Sequence, residues 1–231
     1  MTELISVMIG AYNAEPYLGE AIESVFAQTH EPLELIVVDD GSDDGTGEVA
    51  RAYGERLTFV RQERGGNGAA RNRALEEARG RLFAFLDADD RFTPRKLELQ
   101  LAALRADASL DMVFGHVQEF VSPELPPEVQ AQIRPPAAVS PWTAPNLMLI
   151  RRPSFERVGP FATDLRVGVT VDWLARAQEA GLKSHVLPEV VLERRLHTQN
   201  NGLREADARS QYLHVLRASL ERRRAAPRPD A

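Results

Sequence analysis

Three aspartates fall within four residues at Asp87-Ala88-Asp89-Asp90, directly after the apolar run Leu82-Phe83-Ala84-Phe85-Leu86. Carboxylates this close repel one another and lose hydration when buried together, so the cluster calls for a cation, most simply a divalent metal. In extended backbone Asp87 and Asp89 point to one side and Asp90 to the other. The same spacing also suits a polar turn that caps a following helix. Two further polar groups stand behind apolar runs: Gly10-Ala11-Tyr12-Asn13 after Leu4 to Ile9, and Asp39-Asp40-Gly41-Ser42 after Leu33 to Val38.

The apolar runs read as strands buried on both faces, and helical stripes separate them. Tyr17, Leu18, Ala21, Ile22, Val25 and Phe26 make one face of a helix opening at Pro16. A second helix leads from the turn-rich stretch ending at Thr46 to about Tyr53, and Leu57 to Val60 is a third strand. Gly65-Gly66-Asn67-Gly68 enters a helix with a small face, Ala69, Ala70, Ala74 and Ala78, that Gly80 ends. The run before Asp87 is then the fourth strand. Such alternation predicts a single α/β domain with a Rossmann-like, mainly parallel sheet flanked by helices, whose ligands gather beyond the carboxyl ends of the strands. All three polar clusters fall at such ends.

Farther on, a helix from Thr93-Pro94 with Leu97, Leu101 and Leu104 inward precedes a strand at Asp111 to Phe114. Seven prolines between Ser122 and Pro145 predict a long extended loop, either a lid near the site or a surface insertion. Asn146 to Ile150 is a short apolar run, Asp172 to Ala180 a helix and Ser184 to Leu187 a strand. Arg204 to Arg224 reads as a helix with Tyr212, Leu213, Leu216 and Leu220 at helical spacing. Its end, with Arg222, Arg223, Arg224 and Arg228, is expected to fray into a basic tail.

Composition narrows the partners. With 34 acidic against 28 basic residues, a net charge of −6, the chain lacks the basic footprint of a general nucleic-acid binder. It has no cysteine, so metal ligands must be oxygen or histidine. No run approaches the roughly 20 apolar residues of a membrane span, and the N-terminus lacks a signal-peptide pattern, which together lead us to expect a cytoplasmic protein. A dinucleotide-binding Gly-x-Gly-x-x-Gly should follow the first strand, where Gly10-Ala11-Tyr12-Asn13 stands instead, and no Walker loop is present. What remains is a metal-bridged diphosphate held by carboxylates.

Ile5-Ser6-Val7 with Ala11-Tyr12-Asn13, Ser24-Val25-Phe26-Ala27-Gln28-Thr29, Ile36-Val37-Val38-Asp39-Asp40-Gly41-Ser42, Gly68-Ala69-Ala70-Arg71-Asn72 and Phe85-Leu86-Asp87-Ala88-Asp89-Asp90 resemble, in order, the blocks of a family 2 glycosyltransferase of the GT-A fold. A looser likeness continues through Phe155 to Phe161, Val171-Asp172-Trp173-Leu174 and Arg194-Arg195-Leu196-His197. The resemblance implies inverting transfer of a hexosyl or N-acetylhexosaminyl group from a nucleotide-sugar donor, with UDP favoured, to an unidentified acceptor. It also implies Mn²⁺ or Mg²⁺, with Asp89 as direct ligand, Asp87 on the ribose or the metal, and His197 at the metal or diphosphate. A segment Asn200-Asn201-Gly202 could close over the nucleotide. Ala11, Tyr12, Asn13 and Ala88 would line the nucleotide pocket and Asp40 would accept from the base. Asp39 suits that site or a structural turn. Arg71 would face the nucleotide or pair with an aspartate. Asp172 is the expected general base, although Val171 replaces the acid that usually precedes it, and it also suits a helix cap; Trp173 suits the acceptor or the core. Residues 1–110 would form the donor half, 111–203 the acceptor half with the proline-rich loop 121–145, and 204–231 the terminal helix and tail. A noncatalytic sugar-nucleotide or glycan-binding protein and a nucleotidyltransferase are the alternatives, and a homo-oligomer is left open.

Overall fold

The computed structural model describes residues 3–133, 135, 139–141, 143–198 and 210–225. Its first half follows the expected alternation: β1 (Ile5–Ala11), α1 (Glu15–Phe26), β2 (Leu33–Asp39), α2 (Thr46–Arg51), β3 (Thr58–Arg61), α3 (Asn67–Glu77) and β4 (Leu82–Asp87). The second half comprises β5 (Arg91–Phe92), α4 (Lys96–Ala106), β6 (Met112–Val121), α5 (Pro127–Gln130), β7 (Ser140–Pro141), β8 (Leu149–Arg151), α6 (Arg152–Val158), α7 (Val169–Glu179), β9 (Ser184–Leu196) and α8 (Ser210–Ala225). One nine-stranded sheet runs β3-β2-β1-β4-β8-β6-β9-β5, with β7 on β6. Strands β1 to β4 pair in parallel, as do β6 and β9, while β8 joins β4 to β6 antiparallel.

Strands β1, β2 and β4 are buried almost throughout because helices cover both faces, which explains their unbroken apolar sequence. On α1, Leu18, Ala21, Ile22 and Val25 form the buried stripe. The alanine face of α3 packs closely, and a Cβ on Gly68 would lie 2.0 Å from the carbonyl oxygen of Ala162, so only glycine admits this approach. Toward the C-terminal half an aromatic cluster closes the core. Trp173 is fully buried, stacks on Phe155 at 5.1 Å and donates from Nε1 to the carbonyl of Gly159 at 2.9 Å. It belongs to the core.

Several expectations change. Strand β6 continues to Val121, and β9 spans 13 residues with the residues around Pro188 bulged out of register, rather than stopping at Leu187. The proline-rich stretch contains α5 and β7 as well as extended chain. Helix α7 begins at Val169, three residues before Asp172. Arg222, Arg223 and Arg224 are helical, not frayed; Arg228, like Asn200-Asn201-Gly202 and 204–209, lies outside the described residues.

Glu34 ties β2 to the turn before β4. It accepts from Ser6 Oγ at 2.7 Å and from the backbone N–H groups of Arg79 at 2.6 Å and Gly80 at 3.1 Å. Burial alone would raise its pKa, but the bonds from Ser6 and Arg79 outweigh it and leave the carboxyl below its ordinary 4.5. A depressed carboxyl adds stability that is present above the unfolded-state pKa and is lost as pH falls through the folded one. Urea midpoints of the wild type should therefore fall as pH drops below about 4.5, and Glu34→Gln should be less stable at pH 7 with a flatter acid limb. Parallel acid limbs in the two proteins would remove Glu34 from this account.

Candidate active site

A cleft of about 900 Å³ opens beyond the carboxyl ends of β1, β2 and β4, the expected place in such a sheet. Its floor is Gly10 to Ala14 and Asp87 to Asp90. One wall is the loop Arg64 to Asn67, and the other is Thr163 to Arg166 with Arg194 and His197.

On the donor side Asn13 adopts φ 48°, in the left-handed region, which a side chain tolerates only when held. It is held by the Asp43 N–H donating to Asn13 Oδ1 at 2.9 Å, while the Asn13 N–H donates to Ser42 Oγ at 3.0 Å. Asp40 is buried, and its Oδ1 accepts from Gln62 Nε2 at 2.7 Å and the Gly65 N–H at 2.8 Å. Its Oδ2 accepts from the Gly66 N–H at 2.8 Å. Asp40 thus folds the glycine loop against the cleft. Tyr12 presents its ring there with the Arg64 guanidinium 3.7 Å above the centroid. Asp39 does not line the cleft; its Oδ1 accepts from the Ser42 N–H at 2.9 Å and Oδ2 pairs with Arg61 at 3.2 Å, the structural turn.

The three aspartates of β4 separate by environment. Asp90 is buried, accepts from the Arg195 N–H at 3.0 Å and from Asn146 Nδ2 at 3.1 Å, and holds the loop. Burial, then the charges of Asp89 and Asp87, push its carboxyl well above the ordinary carboxylate range. Asp87 accepts from Arg71 at 2.7 Å and from Asn146 Nδ2 at 3.0 Å. Arg71 is buried and does not line the cleft; its guanidinium pairs with this aspartate. Asp89 Oδ2 lies 2.9 Å from His197 Nε2. The imidazole is 5% exposed at the end of β9 and packs on Tyr17 with ring centroids 4.6 Å apart, so it is not a solvated loop histidine. Burial, followed by the charge of Glu124, raises the Tyr17 hydroxyl.

A carboxylate oxygen and an imidazole nitrogen facing one another would hold a transition-series dication such as Mn²⁺, while Mg²⁺, which prefers oxygen, would rest on Asp89. Asp87 does not join them, being turned to Arg71 and Asn146; among the described residues no three histidine or acidic side chains converge. Arg195 supports the pair from behind. It is buried, donates from Nε to the Asp89 carbonyl at 3.1 Å, and its other nitrogens reach Glu20 at 2.7 Å and Glu124 at 3.2 Å.

Asp172 stands elsewhere. It does not line the cleft; it is buried on α7, accepts from Arg176 Nε at 2.9 Å and lies 3.6 Å from an Arg222 nitrogen. Its carboxylate is engaged by Arg176 and has Arg222 nearby. The cleft instead holds Asp164, which is exposed and has no hydrogen bond or ion pair among the described residues. Asp40, Asp44, Asp87, Asp89 and Asp90, which also line it, all have partners. Nothing in its own neighbourhood of the sequence singled out Asp164, and Asn146 was equally hidden, because its importance lies in contacts across the fold; Arg195 stood in a matching block, but its contacts were not legible there.

The sheet and its helices have the fold of the GT-A glycosyltransferases. TarS of S. aureus, in a structure with UDP-GlcNAc, superposes with a TM-score of 0.77 at 21% identity over 99% of this chain and 68% of that one. The mannosyltransferase PcManGT of Pyrobaculum calidifontis, in complex with GDP-Man and Mn²⁺, gives 0.74 at 22% identity, covering 99% of this chain and 66% of that one. The model of glycosyl transferase family 2 matches residues 6–158, and the chain belongs to that family. An uncharacterized glycosyltransferase of Rickettsia prowazekii is 38% identical over 110 residues, 48% of this chain and 35% of its own length. The chain thus spans about a third of that relative.

Proposed function

We propose that the chain transfers a sugar from a nucleoside-diphosphate sugar to an acceptor hydroxyl with inversion, using Mn²⁺ or Mg²⁺. The observation that carries this is the Asp89–His197 pair at 2.9 Å, set in a family 2 cleft between a glycine loop and a free carboxylate. The nucleotide lies along Ala11, Tyr12, Asn13 and Ala88, with the Asp40-braced loop beside it. When bound, the cation neutralises charge gained by the leaving diphosphate. Asp89 and His197 hold it, and Asp87 acts through Arg71 and Asn146 as a support. The base role moves from Asp172 to Asp164. As the acceptor oxygen bonds to the anomeric carbon and the bond to diphosphate breaks, Asp164 takes the hydroxyl proton. Residues 1–110 supply the donor half and 111–203 the acceptor half, with UDP sugars and GDP-mannose the first donors to try because the two solved relatives hold such ligands.

Calorimetry with Mn²⁺ present should show binding of at least one UDP-, GDP- or TDP-sugar, with EDTA removing it. Silence with all three donors would sink the proposal. A noncatalytic binding protein on the same scaffold is the second reading, favoured by the arginine-bound state of Asp172. Donor turnover on prolonged incubation excludes it.

A further inference from the structure

Helix α8 carries a surface that sugar transfer does not use. Its inner face is seated on α7: Val215 is buried, while Ser219 Oγ and Arg222 Nε both donate to Glu179 at 2.6 Å. Its outer face carries an exposed apolar patch that runs from Tyr212, whose ring also packs by Gly168, to Leu220 and, by helical position, ends at Arg223. Tyr212, Leu213, Leu216 and Leu220 are 42%, 60%, 54% and 53% exposed, and they are four of the six large hydrophobic residues exposed among the described residues. At roughly 100° per residue they form one stripe about 100° wide, and the exposed Arg217 and Arg224 border it within about 40° of Leu213. The helix holds four arginines against one glutamate on a chain whose net charge is −6. An apolar stripe bordered by basic residues matches a boundary between hydrocarbon and anionic headgroups. Among the described residues no helix is long and apolar enough to cross a membrane, so the contact is one of lying on the surface. A second copy fits less well, since its stripe would bring the same arginines against Arg217 and Arg224.

We propose that α8 docks the protein on an anionic lipid surface. Gln211 Oε1 accepts from the backbone N–H groups of Arg166 at 2.8 Å and Val167 at 3.1 Å, directly after the cleft wall Thr163 to Arg166. A docked α8 therefore holds the acceptor side of the cleft at headgroup level, where an acceptor carried on lipid is presented. That last step rests on the proposed transfer reaction; lipid docking does not, and it stands or falls without any donor present.

The test is cosedimentation of the full chain with vesicles of phosphatidylcholine alone and of phosphatidylcholine mixed with phosphatidylglycerol. Binding is expected only to the mixed vesicles, and is expected to fade as salt is raised. Arg217→Glu with Arg224→Glu, both exposed and remote from any core contact, should weaken it about tenfold or more; a combined Leu213→Ser, Leu216→Ser and Leu220→Ser variant should abolish it. No binding to mixed vesicles, or undiminished binding by the arginine variant, overturns the proposal. So does a dimer in light scattering that the leucine variant dissolves while vesicles are ignored, which assigns the stripe to a second copy.

Discussion

Asp89→Ala is expected to lower Mn²⁺-dependent affinity for the nucleoside-diphosphate sugar by about 100-fold or more, because it removes the carboxylate of the proposed metal pair and leaves one imidazole. His197→Ala should act in the same direction but more weakly, since a neutral ligand contributes no charge. Asp87→Asn makes the contrast. It keeps the hydrogen bond to Asn146 and weakens only the ion pair with Arg71, which lies at 2.7 Å. Its loss should be several-fold smaller than that of Asp89→Ala if Asp87 is a support. Titration calorimetry with donor, with and without Mn²⁺, ranks the three. If Asp87→Asn equals Asp89→Ala while remaining folded by circular dichroism, Asp87 is itself a ligand and the carboxylates rearrange when the metal enters.

The second large effect separates two aspartates. Asp164→Asn should reduce kcat by about 10²- to 10⁴-fold, the usual contribution of a general base, with little change in donor affinity. Asp172→Asn should leave kcat nearly intact and lower the thermal midpoint, because Arg176 loses its charged acceptor and Arg222 a nearby counter-charge. Steady-state kinetics with a productive acceptor and a melting curve decide the matter. The opposite pattern, with turnover lost in a well-folded Asp172→Asn and kept in Asp164→Asn, returns the base role to α7.

The first half of the fold was legible because each strand is a continuous apolar run and each helix a clean stripe. Ile5 to Ala11 and Leu82 to Asp87 have no competing pattern. Strand β9 was not, since Pro188 and Glu189 break the run; only pairing with β6 across the bulge reveals that the strand resumes, carries Arg195 and delivers His197 just past its end. The tip of the site was legible as well: three aspartates behind a buried strand announce a charge problem whatever the fold. How the problem is solved was not. Arg71 and Asp87 are 16 residues apart and Asn146 and Asp90 are 56 apart, and such pairings leave no local trace. The ion pairing of Asp172 was hidden for a related reason. One acid before a tryptophan looks like a reactive group, yet on a helix it is also an ion-pair partner for an arginine one turn on, and the structure shows that pairing.

Asn146 has one further consequence. A single amide nitrogen bonds Asp87 at 3.0 Å and Asp90 at 3.1 Å from the point where the proline-rich excursion rejoins the sheet. The excursion and the acidic centre are thereby fastened at one stitch. Lengthening, shortening or exchanging residues ahead of that stitch leaves the carboxylates fastened, whereas a shift of one residue at the stitch itself unfastens both. Variation in this stretch is thus free in length and strict in phase.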